Sequence, residues 1–411
     1  MITIAKFLKD WETKNAKNVA KSGSFSMMAL SLAACGGGGG GGVSTLPSVV
    51  GTNPVVVPLD SGLTILNDTV VGTTGDDIVT GLRVDTVQTL NSGDSIALDD
   101  GVDSLSVVLN DGTVTPAAIT GVENVMFIAL GAATVDFDNV IGVTSLTSRG
   151  SSAILVVDDI QEIPTSISVN NNTAAQTFIF KDTAVSGNTD ELTLKLDGVG
   201  GVVNVGSELD GDGDIEIFTI VASDGASDLG VGNGFGADAI TITVTATSAL
   251  DLGSTPQFIA STNFDASDST AAVTAVFAAK TTASEADVTI KGGAGADNFD
   301  IGTFTAEENF GDLIVDMGDG NDTLDLGAVA DTDTGSSIKG GSGDADILII
   351  SGSALTAEVN SQISEFEILN IETTGLTQDA DNFGGTIFGT AAAIAEMRID
   401  NLAGGSIINI N

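Results

Sequence analysis

The chain has no histidine and no tyrosine, and only one cysteine and one tryptophan in 411 residues. Without an imidazole there is no Ser-His-Asp triad, no Cys-His dyad and no zincin motif. A lone Cys35 excludes an intrachain disulfide framework. Carboxylates are plentiful enough for aspartic or glycosidic chemistry, but no spacing selects a pair. The expectation is a protein that is not an enzyme. Positive charge is the next scarcity: Lys+Arg 13 against Asp+Glu 56, a formal net charge of -43. Lys6, Lys9, Lys14, Lys17 and Lys21 all precede Cys35, so the chain beyond that cysteine is more acidic still. Such a chain repels nucleic acid and anionic surfaces and gathers cations. High net charge often accompanies disorder. Here a hydrophobic content of 42% and a mean hydropathy of +0.31 supply a core. The acids must therefore decorate an ordered scaffold.

The first sixty residues read as an address and a tether. Residues 1–24 are net basic, and an apolar run extends from Phe25 to Ala34. That run is too short to span a bilayer but suits the core of a signal peptide. Leu32-Ala33-Ala34-Cys35 resembles the lipobox of bacterial lipoproteins. The resemblance implies removal of residues 1–34, acylation of Cys35 and, through Gly36, sorting to the outer membrane of a Gram-negative cell. Gly36 through Gly42 and a Pro-containing stretch with Pro47, Pro54 and Pro58 form a flexible tether over 35–63.

From residue 64 onward, short β-branched runs alternate with Gly/Asp/Asn/Ser/Thr turns, as in Leu192–Leu196 and Ile240–Val244. Period-2 runs bounded by breakers predict strands. Helical periodicity is confined to two stretches, Ala271–Ala279 and Ala391–Met397. Many short strands with tight turns predict an all-β stacked solenoid of β-helix or β-roll type. We divide it into a β-rich region over 64–285, a turn-rich region over 286–350 and a continuation over 351–411. The strand pattern runs up to Ile410-Asn411, as though the solenoid extends further. A long-range repeat is also present: Ile119–Phe127 has a counterpart in Ile363–Ile371, each after a Gly/Asp segment.

The turns carry the chemistry. Gly292-Gly293-Ala294-Gly295-Ala296-Asp297-Asn298-Phe299-Asp300 fits G-G-x-G-x-D-x-U-x at every fixed position. Glycines of positive φ aim carbonyl oxygens inward, the aspartate adds a carboxylate, and the apolar residue begins a strand. Met317–Asp325, with Gly318, Gly320 and Asp322, loses only the first glycine. Gly340–Leu348, with Gly341 and Gly343, places Asp344 and Asp346 on either side of the expected position. Weaker copies put Asp77, Asp103 and Asp238 at the aspartate. Asp210–Asp214 begins like an EF-hand loop but lacks its glycine and its bidentate glutamate. The strong turns step by 25 and then 23 residues (292 to 317 to 340), which predicts one turn per rung of a broad solenoid. Rungs about 4.8 Å apart would set stacked aspartates repelling by roughly 3–4 kcal/mol at an effective dielectric near 20. A divalent cation would turn that repulsion into a cross-link.

These turns resemble the RTX repeats of haemolysin-type calcium-binding proteins, and residues 65–400 resemble the S-layer proteins of Gram-negative bacteria. The resemblance implies calcium-dependent folding and an extracellular structural coat that self-associates, held to outer-membrane lipid or cell-surface polysaccharide. By position it implies Ca²⁺ ligands at Asp297 and Asp322, and at Asp344 or Asp346. A calcium-dependent adhesin is the rival reading.

Overall fold

The computed structural model describes residues 59–208, 215–229, 239–253, 261–278, 287–304, 311–329, 335–350 and 361–371, with the strands Thr377–Asp379, Glu396–Ile399 and Ile407–Asn409. Cys35 and the leader, the acidic turn at 210–214, and Asp238 with its turn lie outside these residues.

The protein is a parallel β-solenoid. One sheet of fourteen strands runs from Asp60–Gly62 to Ile363–Ser364, and each rung adds one strand to it. A five-stranded sheet lines the opposite side in the first half of the molecule, and an eight-stranded sheet does so in the second half. A three-stranded sheet (Thr69–Val71, Ser95–Ala97, Ala118–Thr120) opens the first rungs. All these pairings are parallel. Parallel strands require a crossover, and here each crossover is the rest of the rung. Along the long sheet, rung length varies from 18 residues (Asp60 to Ile78) to 27 (Ser166 to Thr193).

Period-2 patterning explains the stack. Alternate residues of each strand point inward, so every rung adds to the same interior columns. One column reads Leu192, Phe218, Ile242, Phe264, Ile290, Val315 and Ile338, all buried. Each such side chain contributes about 1.5–3 kcal/mol by leaving water. The first strand, Asp60–Gly62, falls inside the stretch the sequence assigns to the tether.

The described residues 271–278 of the first stretch with helical periodicity form no helix. Val273–Val276 is a strand paired with Leu250–Asp251 and Asn298–Asp300, with Val273 and Ala275 buried. Alanine favours a helix in isolation, but a rung between two strands imposes the ladder. Phe277 then packs edge-on against Phe264 and Phe299, with centroids 5.1 and 5.9 Å apart, beneath the Gly-Asp turns. In the second expected helix, 391–397, the described residues Glu396 and Met397 belong to the strand Glu396–Ile399.

Candidate metal centre

The turn at 292–297 carries the chain out of the long-sheet strand Val288–Lys291 and into Asn298–Asp300 of the eight-stranded sheet. Asp297 closes this turn. Its Oδ2 accepts the Gly293 N–H at 2.7 Å, and its Oδ1 accepts the Val273 N–H of the preceding rung at 2.8 Å. The pattern then climbs. Asp322 Oδ1 accepts the Asp297 N–H at 2.7 Å, Asp346 Oδ1 the Asp322 N–H at 2.9 Å, and Glu367 Oε2 the Asp346 N–H at 2.9 Å. Each acid thus caps the backbone of the rung before it, which makes a vertical ladder of four carboxylates. The three aspartates are buried, at 1%, 0% and 0% exposure. Asp346 holds the stacked position, whereas Asp344 is exposed.

Backbone stacks directly on backbone at this corner. A Cβ on Gly318, Gly341 or Gly343 would fall 2.2, 2.0 or 2.0 Å from the carbonyl oxygen of the glycine below it, Gly293, Gly318 or Gly320. Gly318 and Gly341 also have φ of 91° and 98°, the region other residues avoid. Phe299, Leu324 and Leu348 point inward in register and anchor each turn to the core.

A second ladder of the same design stands at the entry to the long sheet, near the start of the solenoid. Asp77 accepts the N–H groups of Thr73, across its own turn, and of Leu59, from the rung before. Asp103 Oδ1 accepts the Asp77 N–H at 2.7 Å, and Glu123 Oε2 accepts the Asp103 N–H at 2.7 Å. Both ladders therefore end on a glutamate, and those glutamates occupy the same place in the long-range repeat. Its two copies match locally: Gly121 and Glu365 have φ of 66° and 65°, and Val122 and Phe366 are fully buried. They stand at different corners, however, one leading into the long sheet and the other into the eight-stranded one.

The ladders leave three oxygens over. Asp103 Oδ2, Asp322 Oδ2 and Asp346 Oδ2 are buried and have no hydrogen-bond partner. A buried carboxylate oxygen without a partner is costly. One other polar corner avoids this cost. At another corner Ser148, Ser151, Asn172 and Gln176 are all buried, and Ser148 Oγ donates to Gln176 Oε1 at 2.6 Å while Asn172 Oδ1 accepts the Ser151 N–H at 2.8 Å. Burial pushes the Asp322 carboxyl up to about 8, and the charges of Asp297 and Asp346 add to the shift. Burial likewise pushes Asp346 up to about 6, with Glu367 contributing, and it raises Asp297 and Asp103. Asp77 moves the other way: its burial is outweighed by hydrogen bonds from Thr73 and Leu59. The donor set is oxygen only, which suits a hard cation. The unsatisfied oxygens stand at Asp322 and Asp346 of the longer ladder and at Asp103 of the shorter, although neither ladder brings three carboxylates within 4.8 Å of one another.

A third acidic group escaped the sequence reading. Asp136, Asp138 and Asp159 bring carboxylate oxygens within 4.8 Å of one another and could hold a metal ion. Asp159 comes from the following rung, so no local spacing announces it. Here the protein supplies its own cation: Lys181 Nζ lies 2.7 Å from Asp138 and 3.8 Å from Asp159. Hydrogen bonding to Asp159 and burial push the nearby Glu208 carboxyl up to about 7.

No protein-family model, no curated protein and no solved structure matches the chain. The fold and the site define a class: a parallel β-solenoid with stacked, buried carboxylates at its corners.

Proposed function

We propose that the chain is a calcium-binding structural protein of the cell surface, an S-layer-like coat component whose solenoid is stiffened by Ca²⁺ in its Gly-Asp turns. The observation that carries this reading is the pair of unpartnered, buried oxygens on Asp322 and Asp346. A ladder of like charges held in a core is a poor way to stabilise a chain unless a cation joins it. Asp322 and Asp346, with backbone oxygens of the turns at Gly318, Gly320, Gly341 and Gly343, would hold the ion, and Asp297 with the turn at Gly293 and Gly295 would support them from the rung below; Asp103, beside Asp77, forms the lesser site. Bound calcium would supply positive charge and six to eight coordination positions for oxygen. Outside cells it is abundant enough to fill sites of roughly 10⁻⁴–10⁻³ M. In this reading no residue makes or breaks bonds, and Cys35 carries the lipid that holds the protein to the outer membrane.

Thermal unfolding in Ca²⁺ and in EGTA tests the proposal, with isothermal titration alongside. Calcium at a hundredfold excess over Kd should stabilise by about 2.7 kcal/mol per site. Asp322→Asn keeps the oxygen that caps Asp297 and should abolish most of that increment. Identical melting in both buffers, with no heat of binding, overturns the proposal.

A further inference from the structure

The outward face of the fourteen-stranded sheet carries a charge pattern unlike that of the other large sheets. In register across four successive rungs stand Asp265, Lys291, Asp316 and Lys339. All four alternate with buried neighbours and so point outward. Lys291 Nζ reaches Asp265 at 3.3 Å and remains 45% exposed. Only eight basic residues lie beyond Cys35 in the whole sequence. Four of them, Arg149, Lys195, Lys291 and Lys339, lie on strands of this sheet, against the acids Asp60, Glu191, Asp197, Asp265 and Asp316. The face is close to neutral on a chain of net charge -43. The other large sheets differ. The five-stranded sheet carries Asp136, Asp158 and Asp159 and no base, and the eight-stranded sheet carries Asp228, Asp251, Asp300 and Asp325 before its first base, Arg398. Two copies of so acidic a molecule repel through most surfaces. This face is where they can meet.

We propose that the long sheet is a self-association face, on which a second copy docks with its solenoid axis reversed. The column order minus, plus, minus, plus is self-complementary under one two-fold axis, parallel to the strands and midway between the Lys291 and Asp316 rungs. That rotation reverses the rung order and keeps each residue over its own column. Asp265 then faces Lys339 of the second copy, and Lys291 faces its Asp316. The neighbouring column, Asn263, Thr289, Ile314 and Ser337, is uncharged and accepts the same rotation. A two-fold along the solenoid axis would instead set each charge on its like, which complementarity forbids. Six described strands overlap in this arrangement. At about 4.8 Å per strand the contact is smaller than the ~800 Å² per partner of a standard interface. It is a weak contact, suited to copies concentrated on one surface. The inference deepens the coat reading and rests on it for its setting.

The test is sedimentation equilibrium of the full chain in saturating Ca²⁺, with thermal melting of every variant. The wild type should self-associate, more weakly as salt rises. Lys291→Glu alone and Asp316→Lys alone should each weaken association about tenfold. An equimolar mixture of the two single variants should restore it, because each reversed charge then faces its opposite on the other chain. The double variant in one chain separates packing within the stack from docking: it sets like charges on adjacent rungs and so lowers the melting temperature, yet it keeps the two-fold complementary and so keeps association. A monomeric wild type, or single variants that their mixture does not rescue, overturns the inference and leaves calcium stabilisation to be judged from the melts alone. A melting temperature indifferent to calcium overturns the coat reading whatever the association state.

Discussion

The two carboxylate ladders are built alike and satisfied differently. In each, the first aspartate (Asp77, Asp297) has both oxygens engaged by backbone N–H groups, the last member is a glutamate, and the aspartates between keep one oxygen idle. The ladder near the start of the solenoid has one such middle rung, Asp103. The later ladder has two adjacent ones, Asp322 and Asp346, and its carboxyls are the more strongly raised, to about 8 and about 6. A single buried oxygen is an isolated cost. Two on neighbouring rungs make a place where one hard cation could serve both. Unsatisfied oxygens therefore rank the later ladder before the earlier, whereas among the described residues only the Asp136 group, which Lys181 already enters, brings three carboxylates within 4.8 Å of one another.

The sharpest way to break the comparison is through the equivalent glycines Gly320 and Gly101, with φ of 140° and 147°. A Cβ at Gly320 would lie 2.2 Å from the Gly295 carbonyl oxygen, whereas at Gly101 it would lie 2.9 Å from Gly75. Gly320→Ala should cost about 4 kcal/mol, strain and overlap together, and Gly101→Ala about 2. Urea unfolding of the two variants checks the order. Equal costs would mean that the later turns are no more tightly stacked than the earlier.

Acidity separates the ladders next. Asp322 and Asp346 have folded-state pKa values raised above 3.8, so the native state binds their protons more tightly than the unfolded chain does. Their stabilisation is fully present below about pH 3.8 and fades as pH rises through about 6 and then about 8. Asp77 is lowered, so its contribution is present above 3.8 and is lost as pH falls through its folded value. In EGTA, the urea midpoint should therefore decline between pH 5 and 9, and Asp322→Asn should flatten the upper part of that decline. Asp77→Asn should leave the decline intact and lower stability at neutral pH. In Ca²⁺ the decline should shrink, because cation and proton compete for the same oxygens.

Much of this site could be read from the sequence, for a stateable reason. Asp297 and Asp322 lie at fixed distances from the glycines that turn the chain, so local spacing sufficed. Asp346 was ambiguous because its turn has an extra residue; only the start of strand Ile347–Ile350 shows that Asp346, not Asp344, is stacked. Asp103 looked degenerate because its turn has lost most of its glycine, although Gly101 keeps the decisive position. The solenoid itself was legible from period-2 runs. The strand Val273–Val276 was not, since alanine-rich sequence carries no period that a neighbouring rung cannot override. The Asp136 group and the charge column at Asp265–Lys339 depend on which residues of successive rungs coincide. Rungs that vary from 18 to 27 residues along the long sheet hide that register.

The glutamates at the ladder ends test whether the two stacks end for the same reason. Glu123 and Glu367 each present one oxygen to an aspartate N–H of the rung before, at 2.7 and 2.9 Å. A glutamate reaches one methylene further than an aspartate, so it can cap a rung from a turn with different glycine spacing. If capping is the whole role, Glu123→Ala and Glu367→Ala should each cost about 1–2 kcal/mol, the penalty of one stranded buried N–H, and the glutamine variants almost nothing. Glu367 also raises Asp346 by its charge, so Glu367→Gln should bring the Asp346 carboxyl down. Glu123 likewise raises Asp103, and its glutamine variant should lower that carboxyl too. Carbon-13 NMR titration of the two carboxyls reads both shifts. A fall at Asp103 with none at Asp346 would mean that the Glu367 charge is not what raises the Asp346 carboxyl, and that the two ladder-end glutamates differ in more than the corner they cap.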